Sequence, residues 1–215
     1  VVLLYVESFG NPRRFGQIAR RVGRRKPIVA VKAGRSRAGA RAATSHTGAM
    51  AASDTFVEAL FDDAGVIRTD TIEELFDAAT LLAHQPLPAG PRVGILTNAG
   101  GPGIIAADAC DARGLTVAPL QPATIAALRQ FLAPQASATN PVDTIATAPP
   151  DHFQRAIPLL LADPGIDALL VIFIPLLGTS TRAMAEAVAA AASGSPKPVL
   201  ACFFGAADAR ATLAP

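Results

Sequence analysis

The chain has 215 residues, 51% of them hydrophobic and 17% charged, which is ample for a buried core and excludes an intrinsically disordered chain. At roughly 100–200 residues per domain, the length fits one large domain or two small ones. The net charge of +2 is unevenly divided: residues 1–41 hold eleven Lys/Arg against the single acid Glu7, and residues 42–215 hold eight against sixteen acids.

Val1–Val6 reads as a continuous apolar strand, and Asn11-Pro12 opens a helix running to about Val22. Pro27–Lys32 is a second buried strand. Ala33–Ser45, rich in Gly, Ala, Ser and Arg, reads as a loop. Thr47 to about Asp63 is an amphipathic helix with Phe56, Val57 and Leu60 on one side. Gly65–Arg68 is a short strand. Thr71–His84 is a helix with Thr71 as its cap and Glu74 at the capping-box position, and Ile72, Leu75, Phe76 and Ala79 follow its period. Gln85–Pro91 contains Pro86, Pro88, Gly90 and Pro91 and reads as a linker. The alternation then restarts. Arg92–Thr97, Thr116–Ala118, Ala168–Ile174 and Pro198–Phe203 are strands. Gly103–Arg113, Pro122–Phe131, Pro150–Leu161 and Thr179–Ala192 are helices, and Leu132–Ile145 is a loop. Apolar strands alternating with helices imply parallel sheets covered on both faces, here two open α/β layers.

Several function classes drop out. The longest uncharged apolar run, Ala168 to Leu177, is ten residues and contains Pro175; a membrane span needs about 20. No signal peptide follows Val1, and the missing initiator Met makes a piece of something longer the expectation. The basic residues of the first helix have no aromatic residues among them for bases to stack on, so no nucleic-acid partner is expected. Cys110 and Cys202 form no CxxC pair and read as two buried thiols in a reducing cytoplasm. His46, His84 and His152 lack metal-ligand spacing, so no metal site is expected. His84 ends a helix, and His152 sits in a first turn at a generic exposed position; neither is given a role.

In open parallel sheets ligands bind beyond the carboxyl ends of the strands. Asn98-Ala99-Gly100-Gly101-Pro102-Gly103 lies there, between strand and helix. A glycine-rich turn feeding a helix presents free N–H groups and the positive end of the helix dipole to an anion. Gly101 to Ala106 has the form GxGxxA, but Ala112 to Thr139 holds no acid for a ribose, so phosphate fits better than a dinucleotide. A turn that merely packs helix against strand is the alternative. His46 follows a Gly/Ala/Arg loop and immediately precedes the helix expected from Thr47. That position keeps imidazole neutral and favours a phosphate placed on it. Glu7, at the end of the first strand, could fix the imidazole tautomer, or could simply pair with a surface arginine.

Lys32-Ala33-Gly34-Arg35-Ser36 and Ala43-Thr44-Ser45-His46-Thr47-Gly48-Ala49 resemble the NDP-forming acyl-CoA synthetases, relatives of succinyl-CoA synthetase. Leu4-Tyr5-Val6-Glu7, Ala64 to Arg68, Thr97 to Gly103 and Asn140-Pro141-Val142-Asp143 agree in the same order, so the resemblance covers nearly the whole chain. It implies two flavodoxin-like succinyl-CoA-ligase domains, at residues 1–87 (N-terminally incomplete) and 91–215. It implies phosphorylation of His46 supported by Glu7. Phosphate would be held by Ser45, Thr47 and Gly48 at one helix N-terminus, and by Asn98, Gly100, Gly101 and Gly103 at a second. Coenzyme A, ATP/ADP and Mg²⁺ would serve the complete enzyme, with none held tightly by this stretch alone. The expected partners are a CoA-binding Rossmann domain, an ATP-grasp domain and a small carboxylic acid, in a cytoplasmic oligomer. Without those domains this stretch should not run the overall reaction. Similar domains fused to acetyltransferases act as ligand sensors, which is the rival reading.

Overall fold

The computed structural model describes residues 1–36, 38–39, 41–42, 53–176, 179–205 and 213. The chain divides into two compact units, residues 1–84 and 85–215. Among the described residues no helix is long and apolar enough to cross a membrane.

In the first unit, β1 (Val2–Val6), β2 (Ile28–Lys32) and β3 (Ile67–Thr69) form a parallel sheet in that order. Val2 pairs with Ile28, Val6 with Lys32 and Val29 with Ile67. Every residue of β2 is buried, as a parallel strand covered on both faces requires. Ile28 and Ala30 face Ala19, Val57 and Phe61, while Val29 and Val31 face Leu75. These helical residues belong to α1 (Pro12–Gly23), α2 (Asp54–Ala64) and α3 (Ile72–His84). Asn11 caps α1 by accepting the Arg14 N–H at 3.0 Å, and Pro12 starts it, where a missing N–H costs nothing. Thr71 and Glu74 form the expected capping box at α3, Glu74 N–H donating to Thr71 Oγ1 at 3.1 Å and Thr71 N–H to Glu74 Oε2 at 3.4 Å.

Four features of this unit differ from the sequence reading. The α2 cap is Ser53, extended at φ −60°, ψ 146° and accepting the Phe56 N–H at 3.3 Å. The extended Ser53 excludes one continuous helix from Thr47 to Asp63, because its side-chain oxygen caps a helix that begins at Asp54; residues 47–52 lie outside the described residues. The buried face of α2 is Val57, Phe61 and Ala64, at i, i+4 and i+7, and Phe56 is 45% exposed. Within the expected 33–45 loop, residues 38–39 and 41–42 are helical, started by Ser36 Oγ, which accepts the Gly39 N–H at 3.1 Å. In α3 only Leu75 is buried, whereas Ile72 and Phe76 are more than half exposed.

The second unit is a five-stranded parallel sheet of β4 (Arg92–Thr97), β5 (Thr116–Val117), β6 (Val142–Asp143), β7 (Ala168–Phe173) and β8 (Val199–Phe203). Its main order is β5-β4-β7-β8. β4 pairs with β5 at Arg92 and Val93 and with β6 at Leu96 and Thr97. β6 lies inside the stretch expected to be a loop; two residues are too few to show alternation. Asn140 bridges the two short strands: its Oδ1 accepts from Ile95 N–H, and its Nδ2 donates to Val93 O and Ala118 O, all at 2.8 Å. The helices are α4 (Gly100–Asp111), α5 (Pro122–Arg129), α6 (Pro150–Ala162) and α7 (Thr181–Ala192). Leu96, Phe153, Ile157, Leu160, Val171 and Met184 centre the core. Arg92 N–H, Nε and Nη2 donate to the Asp167 carboxylate at 2.7–3.0 Å, joining the start of β4 to the residue before β7.

Two further expectations are corrected. Cys110 is buried, but Cys202, on the outermost strand of the order, is exposed. His152 is half-buried, its ring 5.7 Å from Phe131, with a buried Nδ1 that has no hydrogen-bond partner among the described residues.

Candidate functional site

In each unit, candidate groups among the described residues lie at the carboxyl ends of strands, where parallel sheets bind ligands. In the first unit Glu7 directly follows β1 and is half-buried. It lines a cleft of about 560 Å³ with Phe9, Asn11, Arg14 and Phe15. Beside it, at the end of β2, lies Lys32, only 3% exposed. Its Nζ donates to Ala33 O. Burial pushes this ammonium below the usual lysine range, with Asp54 acting in the opposite direction, Arg68 reinforcing the drop and Glu7 opposing it. Ser45, His46, Thr47 and Gly48 lie outside the described residues.

Around Lys32 is an ion network that the sequence reading missed. Arg68, with a side chain only 9% exposed, pairs through Nη2 with Asp54 Oδ1 at 2.5 Å and through Nη1 with Glu58. Asp54 and Glu58 stand one turn apart on α2, so one guanidinium reaches both. Arg35 places Nε 3.6 Å from Asp54 Oδ2 and pairs through Nη1 with Asp70. The i, i+4 acids were a legible signal, but the arginines they meet are 10 to 19 residues away.

In the second unit α4 starts at Gly100, three residues earlier than expected, so the glycines form its first helical turn. Pro102 is tolerated there because a first-turn N–H has no intrahelical acceptor. The same rule leaves the N–H groups of Gly100 and Gly101 pointing off the helix end. Gly103 is different: its N–H donates to Ala99 O at 3.3 Å, and a Cβ there would lie 3.1 Å from Thr97 Cγ2. Asn98 is 1% exposed, and its amide is committed, donating to Ile174 O and accepting from Ile174 N–H at 2.9 Å each. The Asn98 side chain and Gly103 therefore hold β4, β7 and α4 together, and the N–H groups of Gly100 and Gly101 have no acceptor within their helix. Asp143, at the end of β6, was not anticipated here. A Cβ on Gly100 would lie 3.1 Å from its Oδ2, and its Oδ1 accepts the Ile145 N–H at 2.9 Å. Ile145 has φ +67°, a strained setting for a β-branched residue. Among the described residues no group of three or more His, Cys, Asp or Glu could hold a metal.

Residues 1–82 match the succinyl-CoA ligase-like flavodoxin domain, and residues 93–213 match the ligase-CoA domain. The alpha subunit of ADP-forming acetate–CoA ligase II from Pyrococcus furiosus is 44% identical over 206 residues, covering 94% of this chain and 45% of that protein. The ADP-forming 4-hydroxybutyrate–CoA ligase of Nitrosopumilus maritimus is 34% identical over 211 residues, covering 95% of this chain and 30% of that protein. Among solved structures, acetyl-coenzyme A synthetase 1 of Candidatus Korarchaeum cryptofilum, in complex with phosphate and ADP, superposes with a TM-score of 0.89 at 33% identity. That alignment covers 98% of this chain and 46% of the other. The chain thus spans less than half the length of the relatives it matches.

Proposed function

We propose, from the premise that the chain belongs to the ligase-CoA family with its succinyl-CoA ligase-like flavodoxin domain, that it is the phosphohistidine-bearing part of an NDP-forming acyl-CoA synthetase. The overall reaction is acyl-CoA + ADP + phosphate ⇌ carboxylate + CoA + ATP. The observation that carries this reading is the match of both units, in order, to two ligase domain models, together with the fold shared with a synthetase bound to phosphate and ADP.

Three balanced steps make up the reaction. Phosphate oxygen attacks the thioester carbon and the thiolate of CoA leaves, giving an acyl phosphate. Neutral His46 nitrogen then attacks phosphorus, the carboxylate leaves, and the ring becomes a phosphorylated imidazolium. The phosphoryl group finally passes to ADP, restoring His46. Glu7 offsets the charge that develops on the ring in the second step. In the second unit the N–H groups of Gly100 and Gly101 at the start of α4 are the candidate anion donors, and fixed dipoles of this kind are the main assistance phosphoryl transfer needs. Ser45, Thr47 and Gly48 supply the donors nearest His46 in sequence. Mg²⁺ accompanies the nucleotide, which binds with CoA on further domains, Rossmann and ATP-grasp, of a cytoplasmic oligomer.

In the full-length protein that carries this chain, Mg-ATP labelled in the γ-phosphate should place an acid-labile, base-stable label on His46. His46→Ala should abolish label and turnover, and Glu7→Gln should slow labelling on the order of 10²-fold. Undiminished labelling of His46→Ala would refute the mechanism.

A further inference from the structure

We propose, resting on the assignment of His46 above, that Arg35, Asp54, Arg68 and Asp70 are positioning residues that clamp the two ends of the segment carrying His46. Arg35 follows β2 by three residues, and Asp54 is the first residue of α2. Residues 36–53, which include His46, are the entire connection between them. Yet Arg35 Nε lies 3.6 Å from Asp54 Oδ2, so the two ends of that connection meet.

The contact is tied to the sheet from both sides. Arg68 sits on β3 in register with Ala30 of β2 and pairs with the other oxygen of Asp54. Arg35 also reaches Asp70, just past β3, whose backbone N–H donates to Glu74 Oε2 at 2.8 Å. Asp54, at the first position of α2, is further favoured by the positive end of the helix. The cations of the cluster are matched by acids: Lys32, Arg35 and Arg68 stand among Asp54, Glu58 and Asp70, with Glu7 beside Lys32. Its cations are answered locally, so its contribution is geometric and not the capture of phosphate. Fixing both ends of an intervening segment lowers the entropy of bringing its middle to one place, and phosphoryl transfer to an imidazole is sensitive to displacements of about 1 Å.

The test uses the full-length protein with Arg35→Met, which keeps the stem of a part-exposed side chain, and with Arg35→Lys; Asp70→Asn is the second route to the same break. Two quantities are read: the rate of His46 labelling at saturating Mg-ATP, and hydrogen exchange of the amides at Ser53–Phe56. The expected result for Arg35→Met is a labelling rate about tenfold lower, with unchanged nucleotide half-saturation and melting temperature. Exchange at 53–56 should be several-fold faster, and Arg35→Lys should recover part of the rate. An unchanged labelling rate in both Arg35→Met and Asp70→Asn would overturn the clamp. A slowed rate with unchanged exchange would also overturn it, because Arg35 would then act on the phosphate directly. If the wild type takes no label on His46, the function proposed above fails, and exchange alone judges the clamp: faster exchange sustains it, unchanged exchange overturns it.

Discussion

Gly101 and Gly103 stand two residues apart in the first turn of α4 and answer to different constraints. A Cβ at Gly101 meets nothing within 4 Å, whereas one at Gly103 meets Thr97 Cγ2 at 3.1 Å and Pro141 Cβ at 3.6 Å. Gly101→Ala should be neutral or stabilise by up to about 1 kcal/mol, since alanine is the better helix former. Gly103→Ala should cost about 1–3 kcal/mol, the usual range for overpacking a tight contact. Denaturant titration of the two variants checks both signs; equal effects would mean that the Thr97 contact does not set Gly103 apart from Gly101. The glycine pattern was legible in the sequence as a strand-to-helix turn, but phosphate binding and close packing use the same letters. Only the position of each Cβ tells them apart. Asn98 carries the same lesson: a polar side chain at a strand end reads as a ligand donor, yet here it is spent on the backbone of Ile174.

Arg92 and Asp167 join β4 to β7. The three hydrogen bonds from Arg92, followed by its charge, hold the Asp167 carboxyl at about 2, well below the ordinary carboxylate value. The unfolded chain therefore takes up this proton near pH 4 and the folded one only near pH 2. The stability the pair contributes is fully present above about pH 4 and is lost as pH falls through about 2. Asp167→Asn should lower stability at pH 7 and flatten its decline between pH 4 and 2, as read by melts across that range; an unaltered slope would remove Asp167 from the acid response. Element by element, β2, β4 and β7 were readable because buried parallel strands are unbroken apolar runs; β1 and β8 are apolar runs too, but they are not covered on both faces as expected, since Leu3, Tyr5 and Leu200 are exposed. The start of α2 was not, because Thr47, Ser53 and Asp54 all have capping side chains and the sequence does not rank them. β6 was hidden for another reason: its two residues are strand only because β4 has an edge free beyond β5.

Each unit has its own buried core, Ala30, Val57 and Phe61 in the first and Leu96, Phe153 and Val171 in the second. Two-state unfolding is then not expected for the chain. Calorimetry should resolve two transitions. Phe61→Ala, a fully buried aromatic truncation costing about 3–5 kcal/mol, should lower only the first unit's, and Gly103→Ala only the second's. A single transition shifted by both substitutions would show that the units melt as one. At this scale the sequence carried the alternation of strands and helices and the proline-rich stretch at 85–91. It could not carry the ion network, whose members lie up to 38 residues apart and meet only because β2, α2 and β3 converge.

Asn140 leaves one more mark on the molecule. The Ile95 amide, in the middle of β4, is held by a side chain, 2.8 Å from Asn140 Oδ1, instead of by a neighbouring strand. Its escape to solvent is therefore timed by the rotation of one carboxamide and not by the separation of two strands. An isotope clock at Ile95 would tick independently of its neighbours Gly94 and Leu96, reporting the seam between β5 and β6 while the rest of the sheet stays closed.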